Sequence, residues 1–204
     1  DAFFNLRYEG NTWFDGLMIS EFPKYDRYKN KFPVIKINLK DTVPLESEDG
    51  FRSFLEGFVE TMREILKDFS YLLQSDKTSA FDRADMTAVL NRTADNRLLS
   101  KIMKILCRML HDHHGTDAII LIDEYDRAIT DTFGTESQGK ILKFLADFMS
   151  ATLKDNDCLQ MAYVTGIMQI ARSGMFSGVN NLYVNNILST KSDERFGFTE
   201  AEVM

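Results

Sequence analysis

The sequence predicts an α/β fold, a parallel sheet with helices on both faces. Three observations predict it. Residues Ala118 to Ile122 form an unbroken aliphatic run that ends in Asp123, as expected of a strand buried on both sides. Two further short β-rich runs, around residues 33–39 and 160–165, lie well separated from it along the chain. The segments between the runs carry apolar residues at helical spacing.

The first run, Pro33-Val34-Ile35-Lys36-Ile37-Asn38-Leu39, mixes β-branched residues with partial alternation. It predicts a strand near an edge, with Lys36 and Asn38 turned to one side. From Phe51 to Leu73 apolar residues recur at Phe54, Phe58, Met62, Leu66 and their neighbours, predicting one long amphipathic helix. A short helix is expected at Ala80–Leu90. A clearer one spans Leu98 to Leu110, stopped at Gly115. After the Asp123 strand a polar loop runs through Gly134, and Ile141 to Leu153 predicts the next helix. Gln160–Thr165 reads as another strand, ending at Gly166, and a last one is expected near Leu182 to Leu188.

At 204 residues the chain suits one sizeable domain, and it contains no repeat and no linker-like stretch. Its net charge of −7 disfavours a broad, sequence-independent nucleic-acid surface, which needs clustered Lys and Arg. No apolar stretch reaches bilayer length, and the first residues lack the pattern of a secretion signal. Two unpaired cysteines, Cys107 in an apolar helical pattern and Cys158, fit a reducing compartment, so a cytoplasmic location is expected. Both ends read as cut. The chain opens on Asp1, and the capping-box pattern Thr199-Glu200-Ala201-Glu202 announces a helix just before Met204, so a piece of a longer protein is expected.

The chemistry concentrates where the buried strand ends, in Asp123-Glu124-Tyr125-Asp126. A carboxylate leaving a parallel sheet at its carboxyl end can hold hydrated Mg²⁺ beside a nucleotide, and a glutamate next to it can polarise water. That is the pattern of a Walker B element, with Asp123 for the metal and Glu124 for the water. Carboxylates after strands also cap helices, so an acidic structural turn is the competing reading. Thr165, at the end of its own strand, can hydrogen-bond the attacking water or a terminal phosphate, or make only a local turn bond. Arg172 can reach a phosphate oxygen or remain solvated. Asp126 is expected to brace the loop by accepting backbone N–H bonds. A metal-dependent nuclease built on Asp123, Glu124 and Asp126 is a third reading, weakened by the lack of a lysine in that strand.

His111, His113 and His114 cluster at the end of a helix, where polar and cationic side chains suit the exposed carbonyls. His111 and His114 share a face, but no second pair of ligands is spaced to close a zinc site. No Gly-x-x-x-x-Gly-Lys-Ser/Thr occurs, and Ser173-Gly174-Met175-Phe176-Ser177-Gly178 is the nearest glycine-bearing loop.

Five segments together resemble the bacterial AAA-ATPase-like family. They are Phe32-Pro33-Val34-Ile35, Leu121-Ile122-Asp123-Glu124-Tyr125-Asp126, Thr165-Gly166-Ile167, Phe176-Ser177-Gly178-Val179-Asn180-Asn181-Leu182 and Phe196-Gly197-Phe198-Thr199-Glu200. The resemblance implies a three-layer P-loop NTPase-like domain over residues 1–204, lacking its first core strand and Walker A loop, which would precede Asp1. It implies ATP and Mg²⁺ as cofactors, Asp123 as the metal-binding aspartate, Glu124 as the water-activating glutamate and Thr165 as a sensor position. Asn180 and Asn181 fall in a family motif to which no physical role is assigned. Family members often carry a nuclease-like domain of the PD-(D/E)xK type, which would lie beyond Met204 and bring a nucleic-acid partner. With a core strand missing, the chain by itself is expected to bind ATP weakly and to be incompletely stable. An ATPase-shaped but inactive scaffold is the alternative.

Overall fold

The computed structural model describes residues 1–42, 49–167 and 182–186. Three strands, β1 (Val34–Asn38), β2 (Ala118–Asp123) and β3 (Leu159–Val164), form a parallel sheet in the order β1-β2-β3. Asn38 lies opposite Asp123, and Ile122 opposite Val164, so the carboxyl ends of all three strands meet at one edge of the domain.

The helices are α1 (Tyr25–Tyr28), α2 (Gly50–Asp68), α3 (Ala80–Leu90), α4 (Asn96–Leu99), α5 (Ile102–His114), α6 (Arg127–Asp131) and α7 (Gln138–Leu153). Their starts follow local chemistry. Asp49, Ser79 and Asp95 each accept a backbone N–H at the first turn of α2, α3 and α4. α5 stops at Gly115, whose φ of 73° places it in the left-handed region while its N–H donates to the His111 carbonyl at 2.7 Å.

One face of the sheet is packed by helices. Ile35, Ile37, Ala118, Ile120 and Ile122 meet Phe54, Phe58, Met62 and Leu66 of α2, the apolar side of α5, and Phe144, Leu145 and Phe148 of α7 in a single core. Within it Phe58 touches Phe144 and Phe148 edge-on, at ring separations of 4.9 and 5.1 Å, locking α2 to α7. The opposite face is covered differently from expectation. Val34 and Ile119 pack with Phe32, Phe4 and Tyr28 from the first 32 residues, and among the described residues no helix longer than the single turn α1 contributes there.

Several boundaries also differ from the sequence reading. The long helix expected at 51–73 ends at Asp68, and a 3₁₀ turn, Ser70–Gln74, carries the chain on. The helix expected from Leu98 is broken into α4 and α5 around Ser100 and Lys101. The polar loop after Tyr125 contains α6, which the sequence reading missed because its five residues bury only Ala128 and Ile129. The strand expected at Leu182 to Leu188 is absent from residues 182–186, and the remainder of that span lies outside the described residues.

Candidate functional site

Asp123 closes β2 at the carboxyl edge of the sheet. Strand alternation points its side chain to the face opposite the helical core, where it is exposed. Its Oδ1 accepts two hydrogen bonds, from the Glu124 backbone N–H at 3.0 Å and from Thr165 Oγ1 at 2.6 Å. The short Thr165 bond is possible because β3 runs parallel beside β2. The Thr165 N–H donates to the Ile122 carbonyl at 2.8 Å, and the Tyr125 N–H donates back to the Thr165 carbonyl at 3.3 Å. Asp123 is thereby held in one orientation with Oδ2 directed to no protein donor among the described residues.

Glu124 stands in the left-handed region at φ 52°, unusual for a residue with a side chain. This backbone reversal lets the Glu124 N–H fold back onto Asp123 while its carbonyl accepts the Arg127 N–H at 3.1 Å, opening α6. Strain of this kind persists where the surroundings over-determine it, and functional turns are where it collects.

Tyr125 and Asp126 turn inward. Asp126, only 4% exposed, braces the loop through its carbonyl, which accepts the N–H groups of Ile129 and Thr130. Its carboxylate lies against Gly166. A Cβ at position 166 would come within 2.6 Å of Asp126 Oδ1 and within 2.6 and 2.7 Å of the Tyr125 ring. Gly166 is therefore required by contact, which the sequence marked only as the end of a strand. Because Asp126 is buried and Asp123 exposed, Asp123, Glu124 and Asp126 do not bring their ligand atoms together as one metal cluster among the described residues.

The structure thus brings Asp123, Glu124 and Thr165 to one edge, while Arg172, Asn180 and Asn181 lie outside the described residues. An exposed carboxylate with one oxygen fixed by a hydroxyl and the other open is a hard oxygen donor of the kind Mg²⁺ takes alongside phosphates and water. The residues present fit that ion. A groove of about 900 Å³ lies elsewhere between α5 and α7, where Arg97, Lys101, Lys104, Arg108, Lys140 and Lys143 outnumber Asp85, Asp147 and Asp155. It is a local basic surface in an otherwise acidic chain and touches none of the three residues.

Comparison with known proteins gives the family. The family model described as "Predicted AAA-ATPase" matches residues 1–176. The chain belongs to the AAA-ATPase-like family. It is also 28% identical over 99 residues to an uncharacterized protein in the vnfD 5' region of Azotobacter chroococcum mcd 1, an alignment covering 48% of this chain and 19% of that protein. The matched part thus spans about a fifth of the length of that curated relative. No solved structure matches the chain. No helix among the described residues is long and apolar enough to cross a membrane.

Proposed function

We propose that the chain is the Walker B and sensor part of an ATP-hydrolysing P-loop domain. The observation that carries this reading is the 2.6 Å bond from Thr165 to Asp123 across neighbouring parallel strands, at the edge where such sheets bind ligands. In this reading Asp123 holds Mg²⁺ through Oδ2, directly or through water, while Thr165 fixes its rotamer. When bound, Mg-ATP supplies the phosphoryl group and the charge neutralisation that its transfer requires. Glu124 orients and polarises the attacking water, and Thr165, its one hydroxyl proton given to Asp123, accepts a hydrogen bond from that water. Arg172 contributes a cation toward a phosphate oxygen.

The phosphate cradle belongs to another stretch of chain, which would pair along the outer side of β3. Among the described residues that side has no strand partner, and Tyr163 on the uncovered face is 55% exposed, unusual for a parallel strand. A fused nuclease-like domain, and a nucleic-acid partner reached through it, belong to the same proposal.

The test is Mg²⁺-dependent ATP hydrolysis by the protein extended upstream of Asp1, compared with its Glu124→Gln variant. Turnover is expected to fall by at least about 100-fold with nucleotide binding retained. Unchanged turnover removes Glu124 from the mechanism. Binding without turnover in the unsubstituted protein favours the scaffold reading.

A further inference from the structure

At the opposite end of the sheet, three side chains converge, two from the α5–β2 junction and one from the start of β3. His111 comes from the last turn of α5, Asp117 from the residue before β2, and Cys158 from the residue before β3. One ligand atom from each lies within 4.8 Å of the other two, and His111 Nδ1 stands 2.8 Å from Asp117 Oδ1. We propose that these three residues bind a borderline divalent cation of the zinc class, which ties the C-terminus of α5 to the amino ends of β2 and β3.

Imidazole, carboxylate and thiolate are the donors that such a cation takes in tetrahedral sites. At normal bond lengths, a tetrahedral ion spaces its ligand atoms about 3.3 to 3.6 Å apart. Only small side-chain shifts separate the present arrangement from that geometry. On binding, His111 coordinates as neutral imidazole through Nδ1 with its ring proton on Nε2, Asp117 coordinates as carboxylate, and the thiol proton of Cys158 leaves to solvent. Asp117, Asp112 and Asp157 surround Cys158 with negative potential that attracts a cation, and Arg108 partly opposes it. His111 is partly exposed, leaving a fourth position for water.

The other histidines are engaged elsewhere. His113 Nδ1 is 2.8 Å from Ser75 Oγ, and His114 Nε2 is 2.8 Å from the Tyr71 hydroxyl. The ligand set therefore differs from the His111/His114 pair that the sequence offered, because two of its members are adjacent only in the folded sheet. Cys107 is no competitor, being fully buried with its thiol pushed up to about 12 by desolvation.

The probe is Co²⁺ added to metal-free protein. One equivalent is expected to give a thiolate-to-cobalt charge-transfer band, and Zn²⁺ is expected to abolish it by displacement and to raise the melting temperature. The band should vanish in Cys158→Ser, weaken more than about tenfold in affinity in Asp117→Asn, and persist in His114→Ala. No band in the unsubstituted protein, or a band that survives Cys158→Ser, overturns the proposal. Neither readout involves ATP, so the outcome is independent of the hydrolysis test.

Discussion

At the scale of single residues, the turn after β2 sets backbone comfort against chemistry. Glu124 holds φ 52°, a conformation that costs a side-chain-bearing residue about 1 kcal/mol or more. Glu124→Gly is therefore expected to raise the urea midpoint, stabilising the fold by about that amount, while removing the carboxylate that the proposed hydrolysis needs. A midpoint that falls would show that the Glu124 side chain contributes more to packing than its backbone costs. Gly166 is the opposite case. Adding a methyl group there drives it into the Asp126 carboxylate and the Tyr125 ring, so Gly166→Ala should destabilise by about 1 to 3 kcal/mol in the same denaturation experiment. Wild-type stability in that variant would mean that the loop shifts freely. The placement of Asp123, Glu124 and Thr165 where two strands end was legible in the sequence because strand ends are recognisable from the apolar runs before them. The contact that fixes Gly166 was not, since it depends on which ring and which carboxylate the fold lays across it.

At the scale of elements, hydrophobic spacing identified β1, β2, β3 and the long helices, because burying one stripe or two faces leaves a periodic trace. It missed the breaks. The division at Ser100 and Lys101, and the 3₁₀ turn after Asp68, come from tertiary packing that redirects an otherwise continuous apolar stripe. The end of α5 illustrates what that packing does to a titrating group. Burial, followed by the neighbouring His113 and Lys77, holds the His114 imidazole below its ordinary 6.5. The unfolded chain therefore takes up this proton first on acidification. The contribution of His114 is intact above pH 6.5 and is lost as the pH falls through the depressed folded-state value. Stability measured by chemical denaturation from pH 7.5 down to about 5 should fall more steeply for the unsubstituted protein than for His114→Gln. Parallel curves would dissociate His114 from the acid sensitivity of α5.

At the scale of the whole molecule, the uneven covering of the sheet is the feature that composition concealed. A parallel sheet was expected to be packed by helices on both sides, yet among the described residues helices α2, α5 and α7 occupy one face and the first 32 residues only part of the other. The residue pattern of β3 carried no sign that its outer side would lack a strand partner among the described residues, since Leu159 to Val164 reads like an interior strand. Its pairing with β2 directs the backbone groups of Thr165 inward, and alternation then turns the N–H groups of Ala162 and Val164 outward. Those two amides should exchange with solvent deuterium much faster than the inward amides of Met161 and Tyr163 in the 204-residue chain. If a further strand docks there, as the proposed phosphate-binding segment requires, Ala162 and Val164 should become protected to the level of β2. Protection of both amides already present in the chain by itself would mean that this edge is closed from within, and the cradle would then have to approach Asp123 from another direction.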